Sequence, residues 1–327
     1  MEAQRLPLRV AVVQFWPKLA EVEHNIERAR QLCAQLEPRS VDLVCLPEMI
    51  FTGYVFPDAS SIEPYLEHPK SGPTSQFCAY LSSRLECYVL AGYPERLALH
   101  EVERRVTLPR EWADADSDWN SDSEEERERE RDRQLVDRVG ANSAVLYGPG
   151  GEWVGGYRKT NLYKTDMTWA KPGPGFATFD LPPPLGTLTL GICMDLNPVP
   201  GATWSLEGGP YELADHTLQT GSRTLVLLNA WLASGSVDGE EEEEEEDWQV
   251  VRYWAARLRP LWARKDGDRE AERNDGVKVI VCNRCGEENG VTFAGSSAAY
   301  LMSRTLGKPQ LLDVMGRREE GLRVWTI

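Results

Sequence analysis

The sequence predicts an α/β protein that forms a four-layer α-β-β-α sandwich, with two sheets packed face to face between outer helices. Two observations predict this class. Short apolar runs rich in β-branched residues alternate with segments of helical periodicity, which is typical of parallel βαβ units. The same strand–helix–strand order begins at residue 8 and again at residue 187, so we expect two pseudo-symmetric halves that each contain a βαβ unit.

The first half opens with such a unit. We expect a buried strand over Leu8–Gln14, a helix over His24–Leu36 with apolar residues at helical spacing, and an apolar strand over Asp42–Glu48. Because a helix connects the two strands, they must be parallel. A helix over Pro73–Leu85 and a strand over Cys87–Gly92 continue the alternation.

The remaining elements follow the same pattern. A hairpin over Ala141–Tyr147 and Trp153–Tyr157 is predicted, since the Gly148–Gly151 segment Gly-Pro-Gly-Gly supplies a turn. Further strands are expected over Thr187–Cys193, Thr224–Trp231 and Val277–Asn283, within Gly290–Leu301, and over Gly321–Ile327. Further helices are expected over Tyr211–Thr220 and Trp248–Trp262.

The acidity of the chain is concentrated in two low-complexity tracts. Residues 111–133 carry a net charge of −7 and residues 238–247 a net charge of −9, which accounts for the whole formal charge of −16. We therefore expect a single domain over residues 1–327, with acidic insertions at about 111–133 and 238–247 that are solvated. A role for the second tract in binding basic partners is the alternative. A nucleic-acid binder needs a basic surface, which this composition excludes.

Apolar runs and cysteines predict the compartment. The apolar run Val10–Val13 is too short for a signal peptide, and no later run reaches the length of a membrane span. Seven cysteines fall short of the density of a secreted disulfide scaffold and favour a reducing compartment. We expect a cytoplasmic or nuclear protein with no membrane partner. The sequence leaves the oligomeric state open.

The candidate nucleophile is Cys193, at the end of a predicted strand. Most free cysteines are small buried hydrophobes, which is the alternative interpretation. Reactive groups, however, collect beyond the carboxyl ends of strands in open α/β sheets. A thiol needs a base because its ordinary pKa lies above neutrality, and the usual base is histidine. None of the four histidines lies at a predicted strand end: His24, His68, His100 and His216.

A carboxylate and a cation remain as partners for the thiol. Glu48 follows an unbroken apolar run and Pro47, so it lies at a strand end and fits the base. Lys159 follows the second strand of the hairpin and fits the cation that stabilises a developing oxyanion. A sandwich of two similar halves would bring Glu48 and Cys193 to one edge.

These segments resemble the Glu–Lys–Cys motifs of the nitrilase superfamily of carbon–nitrogen hydrolases. The resemblance rests on Leu46-Pro47-Glu48, Tyr157-Arg158-Lys159 and Gly191-Ile192-Cys193-Met194-Asp195, and on the later blocks Asn229-Ala230-Trp231, Asn283-Arg284-Cys285-Gly286 and Gly295-Ser296-Ser297. The segments around Glu48–Tyr54, Gly72–Thr74, Cys87–Glu95 and Asn161–Asp166 are most similar to the fungal-type protein N-terminal amidases. The resemblance covers about Leu8 to Leu301 and implies a nitrilase-type sandwich.

This resemblance also implies an activity. Enzymes of this kind remove the side-chain amide from an N-terminal Asn or Gln of a protein, which yields Asp or Glu for an N-degron degradation route. Glu48 would activate Cys193, and Lys159 with the backbone N–H of Met194 would stabilise the oxyanion. Neither a metal nor another cofactor is implied. An amidase acting on a free small amide, or a non-catalytic acidic interaction protein, are the alternatives.

Four further residues are candidates for substrate binding or support. Asp195 would anchor a substrate α-ammonium, since no arginine follows it, or would brace its own loop. Asp166 is the candidate for a supporting acid between the lysine and the cysteine. Tyr54 and Trp231 would line the substrate pocket, although packing is the alternative for both. For the pair of cysteines in Cys282–Cys285, we expect a structural role, because no second pair of ligands accompanies it.

Overall fold

The computed structural model describes residues 6–108, 135–199, 201–235, 245–264 and 276–327. Its strands are β1 (Arg9–Gln14), β2 (Leu43–Leu46), β3 (Tyr88–Arg96), β4 (Glu103–Thr107), β5 (Leu135–Arg138), β6 (Gly140–Tyr147), β7 (Trp153–Arg158), β8 (Ala177–Asp180), β9 (Thr187–Ile192), β10 (Thr224–Asn229), β11 (Val277–Asn283), β12 (Glu287–Glu288), β13 (Val291–Thr292), β14 (Ala298–Ser303), β15 (Lys308–Val314) and β16 (Gly321–Thr326). Its helices are α1 (Val22–Cys33), α2 (Ala59–Ile62), α3 (Pro73–Leu85), α4 (Lys164–Met167), α5 (Glu212–Gln219), α6 (Trp248–Arg257) and α7 (Arg259–Trp262), with 3₁₀ turns at Glu63–Tyr65 and Cys193–Leu196.

Two six-stranded sheets dominate the described part of the chain. Their strand orders are β16-β1-β2-β3-β6-β7 and β15-β14-β11-β10-β9-β8. In each sheet three neighbouring strands are parallel, β1-β2-β3 and β9-β10-β11, and the strand next to each side of these sets runs antiparallel to it: β16 and β6 in the first sheet, β14 and β8 in the second. This arrangement confirms the two pseudo-symmetric halves. The C-terminal strand β16 returns to the first sheet and pairs with β1, which the sequence pattern did not indicate.

The central strands of both sheets are apolar on both faces. A parallel sheet of this kind must be covered on both sides, and this requirement produces the layers. Between the sheets, side chains such as Val10, Leu43, Leu190, Val226 and Ile280 form one core. The outer face of the first sheet packs on α1 and α3, and that of the second on α5, α6 and α7. The predicted four-layer α-β-β-α sandwich is confirmed.

The sequence predicts a single helix over Trp248–Trp262, but the structure has two helices, α6 and α7, and the helix is interrupted at Leu258. Pro260 explains the break. Proline has no N–H to donate, and its ring clashes with the carbonyl four residues earlier in a continuous helix. In the structure Pro260 lies in the first turn of α7, where its missing N–H needs no partner.

The second acidic tract, predicted at about 238–247, meets the folded domain at its C-terminal end. Asp247 is 1% exposed and caps α6 by accepting a hydrogen bond from the Val250 N–H. It also accepts hydrogen bonds from the Ser234 N–H and hydroxyl, at 2.9 and 2.7 Å. Asp247 therefore belongs to the folded domain, whereas residues 238–244 and the first tract at 111–133 lie outside the described residues.

The described residues on either side of the first tract are neighbours in space. β4 and β5 form an antiparallel pair in which Thr107 lies opposite Leu135. The chain therefore leaves and re-enters the described fold at adjacent positions. None of the helices in the described ranges is long and apolar enough to cross a membrane.

We expect residues 236–244 to be dispensable for folding. Ser234 and Asp247 are hydrogen-bonded to each other. A deletion of residues 236–244 would therefore join two chain ends that already lie close together. The deletion variant should keep the free energy of unfolding of the intact chain in a denaturant titration. Asp247→Ala in the intact chain should instead lose about 1–3 kcal/mol, since it removes a helix cap and leaves buried donors unpaired. A deletion variant that unfolds would show that the tract is part of the core.

Candidate active site

The structure brings Glu48, Lys159 and Cys193 together at one edge of the sandwich. Glu48 lies two residues beyond β2 of the first sheet, Lys159 follows β7 directly, and Cys193 follows β9 of the second sheet. The Lys159 Nζ lies 2.6 Å from the Glu48 Oε1. The backbone N–H of Ala230, just beyond β10, donates to the Glu48 Oε2 at 2.7 Å, and the side chain of the preceding Asn229 accepts from the Cys193 N–H. Strand ends from both sheets thus meet in one cluster.

A close backbone approach positions Glu48. A Cβ atom on Gly92 of β3 would lie 2.5 Å from the Glu48 Cα, a distance that real Cβ contacts do not reach. The Gly92 N–H donates to the Pro47 carbonyl at 3.1 Å, and the Gly92 carbonyl accepts from the Ile50 N–H at 3.4 Å. Glycine at this point of the strand lets the loop after β2 pack directly on β3, with Glu48 fully buried.

Two carboxylates share the ammonium of Lys159. Its Nζ donates to Glu48 and, also at 2.6 Å, to the Asp166 Oδ2. Asp166 lies in α4 and is oriented by the Tyr163 N–H, which donates to it at 2.9 Å. Glu48, Lys159 and Asp166 have no exposed surface. Asp166, the candidate for a supporting acid, thus contacts the Lys159 ammonium directly.

Asn142 completes this cluster, and the sequence analysis missed it. Its Nδ2 donates to the Glu48 Oε1 at 2.7 Å and to the Asp166 Oδ1 at 2.8 Å. The signal that could have found it is a polar pair, Asn142 and Ser143, inside the otherwise apolar strand β6, all of which is buried. A buried amide must be hydrogen-bonded, so it marks a polar partner nearby.

Burial and charge set the protonation of the cluster. Burial opposes the charged form of Lys159, yet Asp166 and Glu48 hold its pKa above the ordinary value, so it remains an ammonium. Burial raises the pKa of Glu48, and Lys159 opposes this rise. Burial and the charge of Glu48 raise the pKa of the Cys193 thiol well above its ordinary value. At neutral pH the thiol is therefore protonated and needs a base to become a nucleophile.

The backbone around Cys193 holds the thiol at the opening of the cluster. Cys193 is 9% exposed, whereas the charged members of the cluster are fully buried. Its φ of +42° lies in the left-handed region, which costs a non-glycine residue energy and is found most often at functional sites. The Cys193 N–H donates to the Asn229 Oδ1 at 3.1 Å. The Met194 N–H lies in the first turn of the 3₁₀ segment, where backbone donors lack intrahelical partners.

Asp195 joins the turn of the nucleophile to the loop after Lys159. Its Oδ1 accepts from the Thr160 and Asn161 N–H groups, and its Oδ2 accepts from the Tyr157 hydroxyl and the Ile192 N–H, at 2.7–3.0 Å. The side chain is fully buried, which raises its pKa to about 6 although these donors oppose the rise. Four donors occupy the lone pairs of the carboxylate, and all of them belong to the turn of the nucleophile or to the segment around Lys159. The geometry supports the bracing alternative.

Tyr54 and Trp231 differ in how they border the cluster. The Tyr54 ring lies 5.6 Å from the Lys159 Nζ, and its buried hydroxyl has no hydrogen-bond partner among the described residues. Trp231 is half-buried, and its ring packs on those of Tyr253 and Trp254 at 5.7 and 6.0 Å between centroids. Trp231 also contacts the core between the sheets that includes Cys193, and these contacts show its packing role.

Comparison with known proteins identifies the family. Residues 9–110 match the family model described as carbon-nitrogen hydrolase. The chain is 30% identical to a protein N-terminal amidase of Schizosaccharomyces pombe, over 97% of this chain and 98% of that one. The chain belongs to the carbon–nitrogen hydrolase family. This finding confirms the family predicted from the sequence motifs.

Solved structures confirm the nitrilase-type fold of this hydrolase. It is similar to crystal structures of N-terminal amidase with an Asn-Glu-Ala peptide and with a Gln-Val peptide, with TM-scores of 0.72 and 0.70. In both comparisons the identity is 19%, and 98% of each chain is covered.

Cys282 and Cys285, which the sequence analysis considered as a pair, are both buried. Cys282 lies in β11 between the sheets, where its thiol donates to the Cys45 carbonyl at 3.3 Å, and Cys285 follows the strand. This burial supports a structural role for both. Among the described residues, no group of three or more His, Cys, Asp or Glu side chains is placed to hold a metal ion.

We expect Asp195→Asn to destabilise the hydrolase. The amide nitrogen of Asn would face backbone N–H groups that now have a carboxylate acceptor, and the buried unpaired donors should cost about 2–4 kcal/mol of the free energy of unfolding. Denaturant titration measures this change. The matched control is Asp180→Asn, because exposed Asp180 accepts one hydrogen bond from Thr187 and should change the stability little. Equal effects of the two substitutions would contradict the bracing role.

Proposed function

We propose that this hydrolase removes the side-chain amide from an N-terminal Asn or Gln of proteins and peptides, releasing ammonia and leaving Asp or Glu. The observation that carries the proposal is the buried cluster of Glu48, Lys159 and Asp166 next to Cys193. It occurs in a chain that is 30% identical over almost its whole length to a protein N-terminal amidase. The crystal structures of N-terminal amidase with peptides that begin with Asn and Gln support the same substrate class.

The first half of the proposed reaction forms a thioester. Glu48 takes the proton of the Cys193 thiol, and the sulfur attacks the carbon of the side-chain amide. The amide oxygen becomes an oxyanion, which the Lys159 ammonium and the Met194 N–H stabilise. Glu48 passes its proton to the leaving nitrogen as the C–N bond breaks. Ammonia departs and the acyl group remains on the sulfur.

The second half hydrolyses the thioester. Water enters the position that ammonia leaves, and Glu48 takes one of its protons while the oxygen attacks the acyl carbon. The same donors stabilise the second oxyanion. The C–S bond then breaks, the proton returns to Cys193, and the product carries a carboxyl group in place of the amide. Glu48 ends each cycle in its starting state.

The charges around Cys193 favour a substrate with a positive group beside its amide. Glu48 and Asp166 share the single cation Lys159, so the ionised cluster has a net negative charge. Asp195 adds a carboxylate whose hydrogen-bond partners are neutral groups. No arginine follows it, since the next residues are Leu196, Asn and Pro. Charge complementarity therefore favours a free α-ammonium over a neutral small amide.

The setting of the proposed reaction is the cytoplasm or nucleus. Seven cysteines, none of them in a disulfide, suit a reducing compartment. An N-terminal Asp or Glu produced there would feed an N-degron degradation route.

Peptides with different N-termini test the substrate. We expect ammonia release from Asn-initiated and Gln-initiated tripeptides, with kcat/KM at least roughly 100-fold above that for free glutamine or acetamide, because the peptides place an ammonium in the negative site. The same tripeptides acetylated at the α-nitrogen are the matched control and should lose at least tenfold. Equal turnover of acetylated peptides and simple amides would favour an amidase of free amides. No turnover by the folded protein would favour the interaction protein.

Substitution of the nucleophile tests the mechanism. Cys193→Ala should abolish ammonia release, and Glu48→Gln should lower kcat by roughly 10³-fold or more, because the buried thiol then has no base. Cys33→Ala is the control, since Cys33 is a buried cysteine of the outer helix α1 and should leave kcat unchanged. A Cys193→Ala variant with full activity would rule out the proposed thioester.

A further inference from the structure

We propose that Asn142 is a positioning residue that aims Glu48, so that the Oε2 rather than the Oε1 takes the proton of Cys193. This inference rests on the base role proposed above for Glu48. It starts from an asymmetry between the two carboxylate oxygens, which the hydrogen bonds of the described residues define.

The two oxygens of Glu48 have different partners. The Oε1 accepts from the Lys159 Nζ at 2.6 Å and from the Asn142 Nδ2 at 2.7 Å. Each carboxylate oxygen offers two lone pairs, so both lone pairs of the Oε1 are occupied. The Oε2 accepts from the Ala230 N–H at 2.7 Å, which leaves one lone pair. Ala230 directly follows Asn229, whose Oδ1 accepts from the Cys193 N–H, so the Oε2 is the oxygen that faces the segment next to the nucleophile.

Lysine alone would not fix this orientation. The Lys159 ammonium lies between two carboxylates and can rotate about its own axis without losing either of them. The planar amide of Asn142 has its two Nδ2 hydrogens directed at Glu48 and Asp166, which closes a ring of four side chains. The Asn142 carbonyl also accepts from the Lys159 N–H at 2.8 Å, so the same residue holds the start of the lysine side chain.

The amide of Asn142 is held in one orientation at a cost. Its Oδ1 is buried and has no hydrogen-bond partner among the described residues. Flipping the amide would bring this oxygen against Glu48 and Asp166, two acceptors that need donors. An unsatisfied buried acceptor is rare in proteins and calls for an explanation. Here the two carboxylates enforce it.

Loss of Asn142 should change the ionisation of Glu48. Its hydrogen bond favours the charged form of the carboxylate, so removing it raises the pKa of Glu48 further. The other titratable or charged groups that face Glu48 from neighbouring elements are Lys159, Asp166, Cys193, Tyr54 and Arg284. All of these groups are unchanged in Asn142→Ala, which isolates the contribution of the amide.

The rate of Cys193 alkylation by iodoacetamide, measured against pH and located by mass spectrometry, tests the proposal without a substrate. In Asn142→Ala the acid limb of this profile should move up by about one pH unit, so that alkylation below the limb is about tenfold slower. Asn142→Asp keeps the shape of the side chain but puts an acceptor where the carboxylates need donors, and it should move the limb further. The acid limb of kcat for an Asn-initiated peptide should move with the alkylation profile.

Ser143→Ala is the matched control. Ser143 is the next residue of β6, is equally buried, and donates instead to Glu95 at 2.7 Å. This variant should be less stable than the wild type, but the acid limb of its alkylation profile should lie at the same pH. Circular dichroism checks that each variant is folded. If both Asn142 variants are folded and the acid limb does not move in either, the proposal is overturned, and an equal shift of the limb in Ser143→Ala would also overturn it. If Asn142→Ala does not fold, Asn142→Asp decides. Absence of peptide turnover in the wild type would refute the proposed function, while the alkylation profile would still report on Asn142.

Discussion

The burial of two carboxylates with one ammonium is the constraint on which the rest of the structure depends. Taking an ion out of water costs several kcal/mol unless partners replace its hydration, and removal of one partner leaves an uncompensated charge. Glu48, Lys159 and Asp166 have no exposed surface, so each needs donors or acceptors at fixed positions. These partners come from β6, from the loop after β10 and from the start of α4. The strand register and the short helix α4 are therefore as necessary to the cluster as its charged residues.

A second constraint is the conformation of the nucleophile. Cys193 adopts a positive φ, which persists only when the surroundings over-determine it. Asn229 holds its N–H, and Asp195 ties the following turn to the loop after Lys159. Asp195 thus sets the distance between the thiol and the ammonium without contacting either. The identity of Asp195 is therefore as restricted as that of the residues it positions. Its four buried donors need a carboxylate, and no other side chain of this size can accept from all of them.

The sequence predicted the parts of this site that strand geometry controls. Continuous apolar runs marked the parallel strands, and polar residues at their ends, Glu48 and Cys193, marked the shared edge. Lys159 was found in the same way, after a hairpin strand. Asn142 was missed because it lies inside a strand, where its meaning depends on partners more than 20 residues away. The contacts of Asp195 join segments that are also distant in the chain, and local patterning could not choose between anchor and brace.

The site is also a joint between the two sheets. Glu48 belongs to the first sheet, yet one of its oxygens accepts a hydrogen bond from the Ala230 N–H of the second. A buried hydrogen bond from the Ser297 hydroxyl, next to β14, to the Gln14 side chain of β1 crosses between the sheets in the same way. Because apolar packing between sheets is non-directional, it tolerates a sliding of one sheet over the other, whereas these polar contacts do not. The groups proposed to carry out the reaction therefore also select the one relative position of the sheets in which they can react.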